Sequence, residues 1–295
     1  MKITRENSMK AAIANWQSGA ETADDVAARI KAHPVQGSPD EMRAAFAALF
    51  DDGPEGEALT LNGVDCIAHG TGPTALWFHG GGYVFGSPET HARAAHHLAD
   101  AAGLRVVLPR YRLAPAHVWP APLEDGCAVI DACSDPVVLI GDSAGGHLAL
   151  NLALRRPGRI RALALISPNT DRRGRSTTRK ANNTRDLMNT HRDDVCLARI
   201  AMPDHDPKDP DVSPVLADLS RLPPTFVTAA TNEVLLGDAL LLITALGRAG
   251  VPVTAEVAQG LWHMWPLWPD AMPEAARTLE QIAGFVDRHG GTIDR

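Results

Sequence analysis

The sequence contains no apolar run of the length a membrane span requires, which excludes a transmembrane helix. Its first residues, Met1-Lys-Ile-Thr-Arg-Glu-Asn, carry charge where a secretory leader needs an apolar core, so a cytoplasmic protein is expected. There is no excess of basic charge either. A formal net charge of −7 gives no general affinity for nucleic acid or for an anionic membrane. Cysteine is scarce. The four present (Cys66, Cys127, Cys133, Cys196) form no CxxC pair, which removes the usual zinc-ligand pattern and reads as reduced thiols. Internal repeats and low-complexity tracts are also missing.

What is present has the balance of an ordinary globule: 295 residues, 45% apolar and 21% charged, enough for one large domain or two small ones with a sizeable core. Small apolar residues at helical spacing predict helices over Met9–Trp16 and Ala20–Ala32, and Pro39-Asp-Glu-Met opens a third. After Asp51-Asp-Gly-Pro the pattern changes. Ala58–Leu61, Asn62-Gly63 and Val64–Ile67 read as a hairpin, because Asn-Gly supplies the positive φ angles of a two-residue turn.

From there strand-like and helix-like segments alternate. The strands are Thr74–Phe78, Leu104–Leu108, Val137–Ile140, Arg161–Ile166, Thr225–Ala229 and Val253–Val257. The helices are His91–Ala102, Leu123–Cys133, His147–Arg156, Ala239–Ala249 and Glu274–His289. Strands that are apolar throughout and separated by helices imply a mostly parallel sheet covered on both faces, an α/β fold. Residues 169–214 are polar, rich in Arg, Asn, Asp and Pro, and carry no strand; they are expected to pack with residues 1–50 as a helical cap. The core would then be 51–168 with 215–295. The basic run Asp171–Lys180 inside the insertion reads as a solvated, mobile loop, with attraction of an acidic substrate as the weaker alternative.

Two glycine-flanked turns carry the chemistry. Gly141-Asp-Ser-Ala-Gly145 fits G-x-S-x-G and stands between a strand and a helix. In such an elbow Ser143 occupies a strained corner at a strand's carboxyl end, with small neighbours so that strand and helix pack closely. The helix behind it directs free N–H groups and a partial positive charge at a developing anion. A plain turn with a capping serine would fit the same five residues; the flanking strand and helix favour the elbow. The second turn, His79-Gly-Gly-Gly-Tyr-Val-Phe-Gly86, follows the first internal strand. Three consecutive glycines cost chain entropy and suggest close backbone approach to a ligand. The lysine of a phosphate loop and the spacing of a dinucleotide fingerprint are both missing. His79 reads as a brace for this loop, not as a base.

Together with Tyr111-Arg-Leu-Ala-Pro-Ala-His-Val-Trp-Pro-Ala-Pro-Leu-Glu-Asp125, Asp211-Val-Ser-Pro214 and Leu222-Pro-Pro224, these motifs resemble the hormone-sensitive-lipase-like esterases of the α/β-hydrolase superfamily. The resemblance runs from about residue 74 to the end, in the family's motif order. It implies an α/β-hydrolase core under a helical cap and ester hydrolysis without a cofactor. Carried over by position, the N–H groups of Gly81, Gly82 and Ala144 would form the oxyanion hole. Two departures stand out. Ala116 replaces a usual Glu, and the usual acid motif Asp-Pro-Leu-Arg-Asp-Glu reads here as Glu233-Val-Leu-Leu-Gly-Asp238.

A serine nucleophile needs a base and an orienting acid, in this superfamily in the order Ser, acid, His. Of twelve histidines, only His263 and His289 follow all the later strands. His289 sits in the polar tail of the last helix, whereas His263 lies in a loop just past Val253–Val257, and it is the expected base. Glu233 follows Thr225–Ala229 and aligns with the acid motif. Asp238 is its rival, but as the opener of helix Ala239–Ala249 it reads as an N-terminal charge. The expected activity is a serine carboxylesterase acting on short- to medium-chain acyl esters. An amidase or lactonase with the same residues, and a non-catalytic receptor on the same scaffold, stand as alternatives. Trp262, Trp265, Trp268, Tyr83 and Phe85 are divided between acyl pocket and packing. The partners expected are a small ester and, through the last strand, a second copy of the chain.

Overall fold

The structure, a computed structural model, describes residues 21–289. The helix expected over Met9–Trp16 lies outside the described residues. Two short helices come first, α1 (Ala23–Ala32) and α2 (Pro39–Ala47), each opened by a capping box in which Thr22 pairs with Asp25 and Ser38 with Glu41.

An eight-stranded sheet follows, in the order β1-β2-β4-β3-β5-β6-β7-β8. The hairpin is β1 (Glu57–Leu61) and β2 (Val64–His69), joined at Asn62-Gly63 with positive φ at both residues. β2 pairs antiparallel with β4 (Arg105–Pro109). β3 (Thr74–Phe78), β5 (Val137–Asp142), β6 (Ile160–Ile166), β7 (Thr225–Ala230) and β8 (Val253–Ala258) continue the sheet from β4 with every pairing parallel. The chain is thus an α/β fold whose strands β5 and β7 are buried at every position.

Helices flank the sheet in groups: α3 (Pro88–Ala102) packs with α9 (Pro273–His289), and α4 (Ala121–Ala132) with α5 (Ala144–Arg155). Each predicted strand appears within two residues of its expected bounds, while helices begin earlier. α3 starts at Pro88 because Ser87 caps it and a proline at the first position gives up an N–H that has no partner there.

Residues 169–214 hold α6 (Thr178–Ala181) and α7 (His191–Ala201) and no strand. Their basic run is only in part a solvated loop: Arg175 and Lys180 are exposed, but other members turn inward. Arg179 is buried, pairing with Asp238 at 2.8 Å and with Asp194, and Arg172 pairs with Asp194 at 2.8 Å. Asp238 does stand in the first turn of its helix, α8 (Leu236–Arg248), which begins two residues before it, but its carboxylate is fully buried against Arg179. Only polar partners make such burial tolerable, since an unpaired buried charge costs several kcal/mol, on the order of 3–5. Arg172 and Arg179 together outweigh the burial of Asp194 and hold its carboxyl well below the usual carboxylate range.

Candidate active site

Because β5, β7 and β8 run parallel, their carboxyl ends lie along one edge of the sheet, where open α/β sheets place their sites. β5 delivers Ser143, the turn after β7 delivers Glu233, and the loop after β8 delivers His263. Ser143 has φ 54° and ψ −118°, a left-handed corner that a side chain rarely adopts. Its neighbours explain how the corner closes. A Cβ on Gly145 would stand 1.9 Å from the Phe78 carbonyl oxygen, and one on Gly141 would stand 2.2 Å from the Gly145 carbonyl oxygen. Serine at 143 is therefore held out from the sheet by a strand–helix contact that only glycines permit.

His263 Nε2 lies 2.8 Å from Ser143 Oγ, and His263 Nδ1 lies 2.9 Å from Glu233 Oε2. With a carboxylate on one side, Nδ1 donates and Nε2 is left to accept from the serine hydroxyl. Glu233 is fully buried, and its other oxygen accepts from Ser167 Oγ at 2.7 Å and from the Ala230 N–H at 2.6 Å. Burial of His263 would lower its pKa; the hydrogen bond and charge of Glu233, with the charges of Asp186 and Asp142, outweigh that and raise it above its ordinary value. Asp238, the rival acid, is instead bound to Arg179 and the Asp171 N–H.

The glycine loop is tied to the same corner through Asp142, the residue before the serine. Its carboxylate accepts from Trp77 Nε1 at 2.9 Å and from the Gly80 N–H at 3.0 Å. Gly80 is thereby committed, and Gly81 and Gly82 face the cavity alongside Ser143, Ala144 and His263. The Gly81 carbonyl turns away, accepting from the Val84 and Phe85 N–H groups. His79 is buried and braces the loop: Tyr111 donates its hydroxyl to the His79 carbonyl at 2.6 Å, and burial pushes the imidazole down to about 3. Tyr83 makes the second brace. Burial pushes its phenol up and drives the His147 imidazole down to about 3; because His147 Nε2 faces the Val212 carbonyl at 3.3 Å and donates to it, Nδ1 is left to accept the Tyr83 hydroxyl at 2.6 Å.

The cavity above Ser143 has a volume of ≈ 450 Å³. α2 contributes Met42 and Phe46 to its lining, and α7 contributes Cys196, Leu197 and Ile200. Of the aromatics named from sequence, Phe85 lines the cavity; Trp262, Trp265 and Trp268 are buried in packing, with Trp268 stacked on Phe50 at 5.2 Å between ring centres. Three contributors went unseen in the sequence: Ser167, Asp142 as a tie to the glycine loop, and Asp186, whose carboxylate accepts the His263 N–H at 3.1 Å. Of these, Asp142 alone stood inside a recognised motif. Among the described residues, no group of three or more His, Cys, Asp or Glu side chains is arranged to hold a metal ion.

Comparison with known proteins places this geometry among relatives. Residues 75–267 match the model of a family described as having the alpha/beta hydrolase fold. An acetyl-hydrolase of Streptomyces hygroscopicus is 35% identical over 266 residues, covering 84% of this chain and 87% of the relative. An esterase of Acinetobacter venetianus is 31% identical over 219 residues, covering 70% and 72%. The crystal structure of an esterase from the bacterial hormone-sensitive lipase family superposes with a TM-score of 0.84 at 30% identity, covering 91% of this chain and 98% of that one.

Proposed function

The chain belongs to the hormone-sensitive-lipase-like esterases of the alpha/beta hydrolase fold, and from that premise we propose that it is a serine carboxylesterase in which Ser143 is the nucleophile, His263 the base and Glu233 the acid. The observation that carries this reading is the continuous chain of contacts from Glu233 Oε2 through His263 to Ser143 Oγ, at 2.9 and 2.8 Å. His263 takes the Ser143 proton as Oγ attacks the ester carbonyl. The tetrahedral oxyanion is held by the N–H groups of Gly81, Gly82 and Ala144, each such donor being worth about 3 kcal/mol in the transition state. His263 then protonates the leaving alcohol, and a water molecule repeats the sequence on the acyl-enzyme, releasing the acid and restoring Ser143.

Residues 1–50 and 169–214 form the cap in this reading, with 51–168 and 215–295 as the core. Support for the cap comes from α2 and α7, whose side chains line the same cavity as Ser143. A cavity of ≈ 450 Å³, apolar where Met42, Phe46, Phe85 and Leu197 meet, suits short- to medium-chain acyl esters. We also assign the protein to the cytoplasm and expect two copies to pair along β8, which stands at an edge of the sheet; sedimentation mass checks the pairing. Among the described residues no helix is long and apolar enough to cross a membrane.

The test is hydrolysis of p-nitrophenyl butyrate by the wild type and by Ser143→Ala. Turnover lost with the serine supports the mechanism. Turnover that survives defeats it, and none from either protein points to a receptor.

A further inference from the structure

Buried carboxylates in this protein come with cations or imidazoles: Asp194 and Asp238 face Arg179, Asp142 faces His91, and Glu233 faces His263. Asp186 is different. It lies in the cap between α6 and α7, is 8% exposed, and among the described residues every hydrogen bond its carboxylate makes is to a backbone N–H. Oδ1 accepts from Met188 at 3.1 Å and from His263 at 3.1 Å, and Oδ2 accepts from Val234 at 3.0 Å. Met188 belongs to its own turn. The other two N–H groups belong to His263 and to the residue after Glu233, on loops that follow different strands.

We propose that Asp186 is a positioning residue of the active site: a carboxylate supplied by the cap that fixes the Glu233 and His263 loops relative to each other and presents a second negative charge to the imidazolium. The proposal rests on reading Ser143, His263 and Glu233 as the reacting groups. Asn182, four residues earlier, completes the clamp by donating to the carbonyls of Thr231 at 2.9 Å and of Glu233 at 2.8 Å. The cap thus grips the acid loop by both its carbonyl and its N–H side.

A purely structural tie would not need a charge. Backbone N–H groups are met as well by an amide or carbonyl oxygen, and a buried carboxylate with no cation is costly. The cost is visible in Asp186 itself, whose carboxyl is pushed by burial up to about 6 despite the opposing field of His263. It is offset when the imidazole beside it becomes positive, as it must in each acyl-transfer step. The charged groups facing His263 are Glu233, Asp186 and Asp142, and those facing Asp186 are His263 and Glu233. Removing one of three anions around the imidazole therefore disfavours its charged form.

The experiment compares wild type, Asp186→Asn and Asp186→Glu, with Ser143→Ala in parallel. Asp186→Asn removes a negative charge from beside the imidazolium and turns an amide NH2 toward an N–H that one carboxylate oxygen had accepted. It is expected to lower kcat about 100-fold, the scale of a misplacement of about 1 Å, with KM little changed. The acid limb of its kcat/KM profile is expected to move to lower pH. The NMR titration of the His263 ring, identified by its loss in His263→Gln, is expected to fall by about one unit. Wild-type kcat in folded Asp186→Asn overturns the proposal, and so does a reduced kcat with an unmoved limb and unmoved ring titration. Should Asp186→Asn not fold, Asp186→Glu decides: charge retained, the limb stays, while the longer arm loses the three-way N–H geometry and kcat falls; wild-type kcat would contradict the clamp. The ring titration needs no turnover, so it judges the proposal even where Ser143→Ala defeats the esterase reading.

Discussion

The imidazole of His263 stands 2.8 Å from the hydroxyl of Ser143 across 120 positions of sequence. Nothing local holds them together. The contact exists because β5 and β8 point the same way in one sheet, and because the loop after each is fixed at its base, Ser143 by the Ile166 carbonyl and His263 by the Asp186 carboxylate. Each expectation below tests one part of that arrangement.

The identity of the acid is tested by two substitutions. Glu233→Gln keeps the shape but removes the charge that fixes the imidazole tautomer, and kcat is expected to fall about 10³–10⁴-fold. Asp238→Asn leaves kcat/KM of the folded protein near wild type but exposes Arg179 to a weaker partner, lowering stability by about 3 kcal/mol or more in urea unfolding. The reverse pattern would make Asp238 the acid.

Above pH 6.5, activity and stability should respond to pH with opposite sign. His263 accepts a proton only when neutral, and its pKa is raised from the ordinary 6.5, so kcat/KM should climb with pH through a midpoint above that value. A raised imidazole pKa means the charged form contributes stability that is complete below 6.5 and lost as pH rises through the folded value. Asp186, raised from 3.8 to about 6, adds stability of the same sign, complete below 3.8 and lost as pH rises through about 6. Below 6.5 the depressed imidazoles of His79 and His147 contribute with the opposite sign, adding stability as pH rises and outweighing Asp186. The urea midpoint should therefore decline only above 6.5, where activity climbs, and His263→Gln should flatten that decline.

The serine corner should not tolerate bulk behind it. Gly145→Ala places a Cβ 1.9 Å from the Phe78 carbonyl oxygen and 2.5 Å from that of His79, both rigid backbone. A loss of more than about 3 kcal/mol is expected by thermal or urea unfolding. Gly247→Ala is the control: beyond its own stretch of helix nothing lies within 4 Å of an added Cβ, and the substitution should be neutral or slightly stabilising.

Leu197 is expected to limit acyl length. Its side chain lies so close over Gly82 that a Cβ there would stand 2.6 Å from Leu197 Cδ1. Leu197→Ala should raise the ratio of octanoate to butyrate ester kcat/KM by about 10-fold, the scale of one or two methylenes gained in an apolar pocket.

Much of this was legible in the sequence where the signal is local. The Asn62-Gly63 turn, the strand–helix alternation and the glycines around Ser143 each carry their own steric reason, and the strands appear within a residue or two of their expected bounds. Glu233 and His263 were readable from chain order, since each follows a strand by a few residues. Other features had no such signal. α8 starts early because Leu235 at its cap offers no capping side chain to mark the place. Arg179 read as solvent-facing because its partners, Asp194 and Asp238, come from elsewhere in the chain. Asp186 was silent for a plainer reason: it binds backbone N–H groups, which every residue but proline has.

The most direct measurement is the site of covalent labelling by diethyl p-nitrophenyl phosphate, read by intact and peptide mass spectrometry. A single diethylphosphoryl group on Ser143, formed with loss of esterase activity and absent from both Ser143→Ala and His263→Gln, is the expected result. Inactivation with the label on another residue, or labelling of Ser143 at an undiminished rate without His263, would contradict the account.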